Sequence, residues 1–263
     1  MIHTFRSGYR FGSPDPRDKV LTGPPLTEMV KAGSYGSLDH SIPQHTPISD
    51  QGRIGSCVAN AVVDALEILL GVEDPLKVEQ LSRMMVYWNA RSYTRETDKD
   101  DGTFVRNAID SLRTLGVCRE SLWPYVTANV FAQPPLSAYK ESLDNRISAY
   151  YTVPGSGTQR CDAIEQAVRA DHPVVFAAPV TEEYVRYFGG DGRAWPRVRT
   201  WLDYHAQIVV GVRWDAGVRS FKVRNSWGPG WGDGGHTWFT EEYMGAPECN
   251  DFWVLTRSPA LVF

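Results

Sequence analysis

The feature that most constrains this fold is a nearly unbroken apolar run at residues 58–70, VANAVVDALEILL. Only Asn60, Asp64 and Glu67 interrupt it with polar side chains, spaced four and then three residues apart. On a helix this spacing places all three on one narrow stripe and leaves the remaining surface apolar. The run therefore predicts a helix that is buried at the centre of the protein.

The rest of the chain divides into a helical part and a strand-rich part. Further helices are predicted at 75–93, 103–115 and 161–170, and strands at 173–180, 206–214, 220–227, 236–240 and 251–257. Helices thus fill a first half, about 50–125, and a mostly antiparallel sheet fills a second half, about 145–263. The pattern favours the α+β class, with the buried helix in the helical half and a cleft between the halves.

Composition limits the possible partners and surroundings. The 263 residues carry a net charge of −4 and the pI is about 5.9, so no basic surface predicts binding to nucleic acid. No apolar run is long enough to span a membrane, and the first residues lack the apolar core of a secretory signal. We expect a cytoplasmic protein, or one released without a recognisable signal peptide.

The first 38 residues differ in texture from the remainder. They are rich in glycine and proline among scattered charges, and only LTEMVKA at 26–32 resembles a helix. Such a segment is too poor in apolar residues to form its own core. We expect residues 1–38 to lie over a main domain, 39–263, and to cover part of its cleft.

Cys57 stands immediately before the apolar run, where the helix is expected to begin. A thiol attacks a carbonyl only as the thiolate, which the first turn of a helix and a neighbouring imidazole favour. His205 opens the alternating strand HAQIVVGVRW, and Asn225 follows the next strand. An Asn beside the ring can fix its tautomer, so these three residues predict nucleophilic catalysis.

Three segments in this order resemble the papain-like cysteine peptidases. They are DQGRIGSC at 50–57, HAQIVVGV at 205–212 and NSWGPGWGDGG at 225–235. The string GYRFGSPDPRD near the N-terminus resembles a short leader of bacterial members. The resemblance covers the chain from about residue 38 onwards, and it implies a papain-like fold and peptide-bond hydrolysis.

The resemblance also implies roles for individual residues. Cys57 would be the nucleophile, His205 its acid/base partner and Asn225 the residue that orients the imidazole. Gln51 would donate to the oxyanion, and Trp227 would shield the His–Asn hydrogen bond. The backbone of Gly102 would bind extended substrate. Further substrate contacts would come from Gly55, Ser56, Thr103, Phe104, Ala177, Asp203 and Ala206.

Some positions depart from the family pattern and leave other functions open. Val58 follows the cysteine where the family usually has an aromatic residue, and Ile54 replaces a cysteine that commonly forms a disulfide. One alternative is amide transfer of the transglutaminase or amidase type, although the third catalytic residue there is typically Asp. Another is a catalytically silent peptide-binding relative. We expect a monomer that acts on peptides or proteins, without cofactor or metal.

Overall fold

The computed structural model describes residues 6–22, 38–76 and 78–257. The helix expected at 26–32 lies outside these residues. Within them, no helix is long and apolar enough to cross a membrane. The helices described are α1 (Cys57–Glu73), α2 (Arg83–Ser92), α3 (Val105–Thr114), α4 (Leu136–Ser142), α5 (Gly157–Arg169), α6 (Glu182–Val185) and α7 (Glu241–Met244).

The strands form one large sheet and one small one. They are β1 (Tyr9–Arg10), β2 (His40–Ser41), β3 (Thr103–Phe104), β4 (Ala149–Thr152), β5 (Val174–Val180), β6 (Ala194–Trp195), β7 (Asp203–Asp215), β8 (Val218–Arg224), β9 (His236–Thr240) and β10 (Asn250–Thr256). The large sheet has the order β4-β10-β5-β7-β8-β9-β6, with β2 beside β7. Its pairs are antiparallel except β6 with β9. The predicted α+β class, with an antiparallel-rich sheet in the second half, is confirmed.

Helix α1 lies against β7 at the centre of the protein, and its polar stripe is buried together with its apolar surface. Asn60 donates to the carbonyl oxygen of Ser56, and Asp64 forms an ion pair with Arg224 of β8 at 3.1 Å. The Glu67 carboxylate accepts a backbone N–H just ahead of α2. Because buried polar groups are costly only when unpaired, these partners allow the stripe to lie inside the core.

Several predicted boundaries were wrong for local reasons. Helix α2 begins at Arg83 rather than 75, because the Ser82 side chain accepts from a first-turn N–H and caps the helix there. Helix α3 begins at Val105 rather than 103, since the two preceding residues form β3. The strand predicted at 220–227 ends at Arg224. Helix α4 and the four-residue helices α6 and α7 were not predicted, nor were the short strands β1 to β4 and β6.

Residues 6–22, called the leader segment below, contact both halves of the protein. Its strand β1 pairs in parallel with β3 of the helical half. Further along, the backbone N–H of Leu21 donates to the carbonyl oxygen of Thr152 in β4. Asp18 forms an ion pair with Arg106 of α3. The segment therefore lies across the junction between the helices and the sheet.

Candidate active site

Cys57 is the first residue of α1, and its side chain is fully buried. Backbone amides of Ala206, Gly8 and Val58 face the sulfur and favour its ionised form. Burial outweighs them and raises the pKa of the thiol to about 11. Because Ala206 directly follows His205 on β7, this contact brings the helix start to the strand that carries the imidazole.

His205 is fully buried on β7 and is held by two residues of the loop after β8. Its Nε2 lies 2.7 Å from Oδ1 of Asn225. The ring stacks on the indole of Trp227, with centroids 4.4 Å apart and planes 30° apart. Burial lowers the pKa of His205 to about 4, and the hydrogen bond to Asn225 only partly opposes this effect.

The protonation of the His205 ring follows from its neighbours. Oδ1 of Asn225 also accepts the backbone N–H of Ser226 at 2.7 Å. An atom that accepts from an amide must be the side-chain oxygen of Asn225, so Nε2 of His205 must be the donor in the other bond. The neutral ring therefore carries its proton on Nε2, which makes Nδ1 the basic nitrogen.

Gln51 is buried beside the same loop, and its amide is held at both ends. Its Oε1 accepts the hydroxyl of Ser226 at 2.8 Å, and its Nε2 donates to the carbonyl oxygen of Ile54 at 3.0 Å. The backbone N–H of Gln51 donates to the carbonyl oxygen of Ser226. The segment that precedes Cys57 is thus joined to the segment that holds His205.

The leader segment passes directly over the thiol. Besides the Gly8 amide that faces Cys57, the carbonyl oxygen of Gly8 accepts the N–H of Thr103 at 2.9 Å. A Cβ built on Gly8 would lie 2.0 Å from the carbonyl oxygen of Gly55. A Cβ on Gly102, where φ is 78°, would lie 2.3 Å from the carbonyl oxygen of Gly8. Backbone therefore meets backbone here, and no side chain fits between them.

Cys57 at the helix start, His205 on β7 and Asn225 behind its ring are the residue types that a nucleophile, a base and an orienting group require. The sequence profile of the papain family of cysteine proteases matches residues 37–251. The chain belongs to the papain family. This membership confirms the prediction of a papain-type enzyme, a peptide hydrolase.

Several known proteins are similar to this chain over most of its length. An uncharacterised peptidase C1-like protein of Acanthamoeba polyphaga mimivirus is 27% identical over 94% of this chain and 86% of its own length. A cysteine protease of Blomia tropicalis is 24% identical over 77% of this chain, and the match spans only 61% of that protein. Among solved structures, xylellain, a cysteine protease from Xylella fastidiosa, matches with a TM-score of 0.80 and 28% identity over 96% of both chains.

The remaining residues assigned by family resemblance differ in their burial and in what they contact. Gly102 and Thr103 contact the leader segment, and the Phe104 ring lies under the guanidinium of Arg10 at 4.6 Å. Ala177 is fully buried opposite Ala206 in the sheet. Gly55 and Ser56 precede α1 and are buried, whereas Asp203 is exposed at the start of β7.

Sequence reasoning did not single out three residues that the structure places at the site. Ser226 lies within the Asn-Ser-Trp-Gly motif, which was its available signal. Asp100 accepts the N–H of Gly55 at 2.9 Å. Asp251 accepts the hydroxyl of the leader residue Tyr9 at 2.7 Å, and no local pattern announced it. Among the described residues no His, Cys, Asp and Glu cluster that suits a metal ion is present.

Proposed function

We propose that this protein is a cysteine endopeptidase that hydrolyses peptide bonds through a thioester on Cys57. The observation that carries the proposal is the link between two halves of the site. The strand that holds the Asn225-bound imidazole of His205 also presents its next amide, that of Ala206, to the sulfur. This contact supports a nucleophile and a base that are drawn from distant parts of the chain.

His205 acts as the general base and then as the general acid. Its Nδ1 takes the proton of the Cys57 thiol, and the sulfur forms a bond to the carbonyl carbon of the substrate. The imidazolium then protonates the leaving amine as the carbon–nitrogen bond breaks, which leaves a thioester. Water, deprotonated by Nδ1, attacks the thioester carbon, and the sulfur recovers its proton as the acid product leaves. Asn225 and Trp227 hold the ring and exclude competing water.

Gln51 stabilises the oxyanion that develops in both steps. Ser226 occupies its Oε1, which fixes the orientation of the amide, and the Nε2 group has a second N–H beyond the one bound to Ile54. That N–H and the backbone N–H of Cys57 are the two donors. One such donor contributes about 3–4 kcal/mol of transition-state stabilisation in a comparable hydrolase.

The extended substrate pairs with the backbone beside Gly102. Support comes from the leader segment, whose Gly8 carbonyl already accepts the N–H of Thr103 there. Residues 1–38 thus include a segment that occupies the place of a substrate. The described part, 6–22, restrains activity in two ways. It blocks the backbone next to the thiol, and it adds to the burial that raises the thiol pKa to about 11, an effect larger than the opposing one of the Gly8 amide.

The catalytic proposal is tested by peptide turnover and by labelling. Fluorogenic peptides should be cleaved under reducing conditions, and one equivalent of iodoacetamide should abolish cleavage by modifying Cys57. A Cys57→Ala variant should not cleave the peptides, and it should not take up the equivalent of label that the unchanged protein takes up at Cys57. Labelling at Cys118, Cys161 or Cys249 with full loss of activity would contradict the assignment. Incorporation of a primary amine in place of hydrolysis would instead support amide transfer.

The restraint of activity by the leader segment is tested by adding one methyl group to that segment in the full-length protein. Gly8→Ala places a Cβ 2.0 Å from the carbonyl oxygen of Gly55, so the leader segment cannot remain in its present position. Gly12→Ala is the matched control, since nothing lies within 4 Å of its Cβ. We expect Gly8→Ala alone to raise the rate of peptide cleavage. Equal rates for the two variants and the unchanged protein would contradict the restraint.

A further inference from the structure

The leader residue Tyr9 points to a pocket next to the thiol that the assigned roles leave unexplained. Tyr9 directly follows Gly8, whose amide faces Cys57, and only 8% of Tyr9 is exposed. Its ring lies beside that of Tyr204, with centroids 6.0 Å apart. Its hydroxyl donates to Oδ2 of Asp251 at 2.7 Å. A tyrosine side chain thus fills this pocket, with its phenol at a carboxylate.

The backbone at Asp251 is shaped to present that carboxylate. The residue has φ of 52°, a left-handed conformation that is uncommon outside glycine. The pairing of β10 with β5 shifts register between Asn250 and Trp253, which marks a bulge at this point. Bulges and left-handed residues redirect side chains and are frequent at functional sites. Trp253 adds an Nε1 donor to Oδ1 at 3.3 Å.

Charges around the pocket disfavour a cationic side chain in place of the phenol. Arg106 and Arg160 line the same cavity of about 470 Å³ as Asp251. The acidic partners of Arg106 in the described residues, Asp15 and Asp18, both belong to the leader segment. Without the leader segment, the lining of this cavity would retain two guanidinium groups and a single carboxylate, that of Asp251. A neutral donor is therefore a better occupant than lysine or arginine.

We propose that Asp251 determines specificity, and that it selects peptides with a tyrosine at the position that fills the pocket of Tyr9. This inference rests on the proposed protease function. A phenylalanine would cover the carboxylate without offering a donor, and a site built to bind a hydroxyl rejects the analogue that lacks it. A hydrogen bond to a charged acceptor corresponds to a preference for Tyr over Phe of about 10- to 100-fold in kcat/KM.

The test compares peptides that differ by one residue. Fluorogenic peptides carry Tyr, Phe or Arg, in turn, at each of the three positions before the cleaved bond. They are assayed with the unchanged full-length protein and with full-length Gly8→Ala. We expect one position at which Tyr exceeds both Phe and Arg by at least about tenfold. A preference for Arg there would overturn the inference.

Two substitutions at Asp251 are compatible with its left-handed backbone. Together they separate the effect of its negative charge from that of a side-chain acceptor. Asp251→Gly tolerates the left-handed conformation and removes the carboxylate, so the Tyr-to-Phe ratio should fall to near one. Asp251→Asn keeps a neutral acceptor and should give an intermediate ratio. Asp171→Gly is the matched control, since Asp171 also has a positive φ, 59°, and lies outside the cavity. The Tyr-to-Phe ratio of Asp171→Gly should match that of the unchanged protein.

The outcomes distinguish this inference from the proposed function beneath it. Cleavage of the peptides with a Tyr-to-Phe ratio near one at every position overturns the inference and leaves the protease standing. A ratio that Asp251→Gly does not change assigns the selectivity to other residues and also overturns it. Failure of all peptides with every variant overturns the proposed function, and the inference with it.

Discussion

Removing the leader segment from the thiol should change the ionisation of Cys57 as well as its accessibility. In the described structure, burial raises the pKa of the thiol from 9.0 to about 11, and it lowers the pKa of His205 to about 4. Both groups are therefore neutral near pH 7. Unseating the segment with Gly8→Ala returns water to the thiol, so its pKa should fall.

The size of the effect follows from the pKa shift. A change from about 11 to the ordinary 9.0 is two pH units, which corresponds to about 3 kcal/mol and a 100-fold larger thiolate fraction near neutral pH. Pairing with a protonated His205 would lower the pKa further, since a neighbouring positive charge favours the thiolate. A 100-fold increase in thiolate is thus the largest effect that relief of burial alone can give, and loss of the Gly8 amide from the sulfur opposes part of it.

The assay measures the rate at which iodoacetamide alkylates Cys57 between pH 5 and pH 10. The rate is obtained from the loss of the free Cys57 thiol over time. Gly12→Ala serves as the control. For the unchanged protein the rate should still be rising at pH 10, whereas for Gly8→Ala it should level off at lower pH. Improved access alone would raise the rate equally at every pH. Parallel profiles with the same inflection would therefore refute the argument from burial.

Three further substitutions test the residues that support the site. Asn225→Ala removes the acceptor that fixes the His205 tautomer, so kcat for peptide cleavage should fall about tenfold or more, with a smaller change in KM. Arg224→Met leaves the Asp64 carboxylate buried without its ion-pair partner, and urea unfolding should show a loss of about 3–5 kcal/mol. Glu67→Gln should remove a pH dependence of stability. Burial raises the pKa of Glu67 from 4.5 to about 7, so the folded protein retains a proton that the unfolded chain releases. Stability of the unchanged protein should therefore fall between pH 4.5 and 7, by about 3 kcal/mol at most.

A specific result would contradict each of these three predictions. An Asn225→Ala variant with unchanged kcat would remove Asn225 from the orienting role. If Arg224→Met lowered the free energy of unfolding by no more than the double variant Arg224→Met/Asp64→Leu, the unpaired Asp64 charge would not be the cause of the lost stability. A Glu67→Gln protein whose free energy of unfolding changed with pH as steeply as the original would assign that dependence to another group.

The sequence alone was sufficient for the elements whose pattern repeats locally. The apolar run with one polar stripe predicted α1 as the buried central helix, because a 3.6-residue period is visible within a single segment. Five strands of the second half, β5, β7, β8, β9 and β10, were predicted from their local sequence pattern to within three residues at either end, whereas β4 and the two-residue β6 were not predicted. The predicted first residues of α2 and α3 were wrong. The Ser82 cap sets the start of α2, and the short strand that begins at Thr103 precedes α3.

The order of Cys57, His205 and Asn225 along the chain was enough to indicate the chemistry, since each motif contains its own signal. The tertiary structure decided what lies against them. Gly8 meets Cys57 and Gly102, and Tyr9 meets Asp251, across separations that no local period encodes. Desolvation depends on everything packed around an atom, so the neutral state of the thiol follows from the fold. Residue type and spacing specify which groups are present, and packing sets their charge and what they can reach.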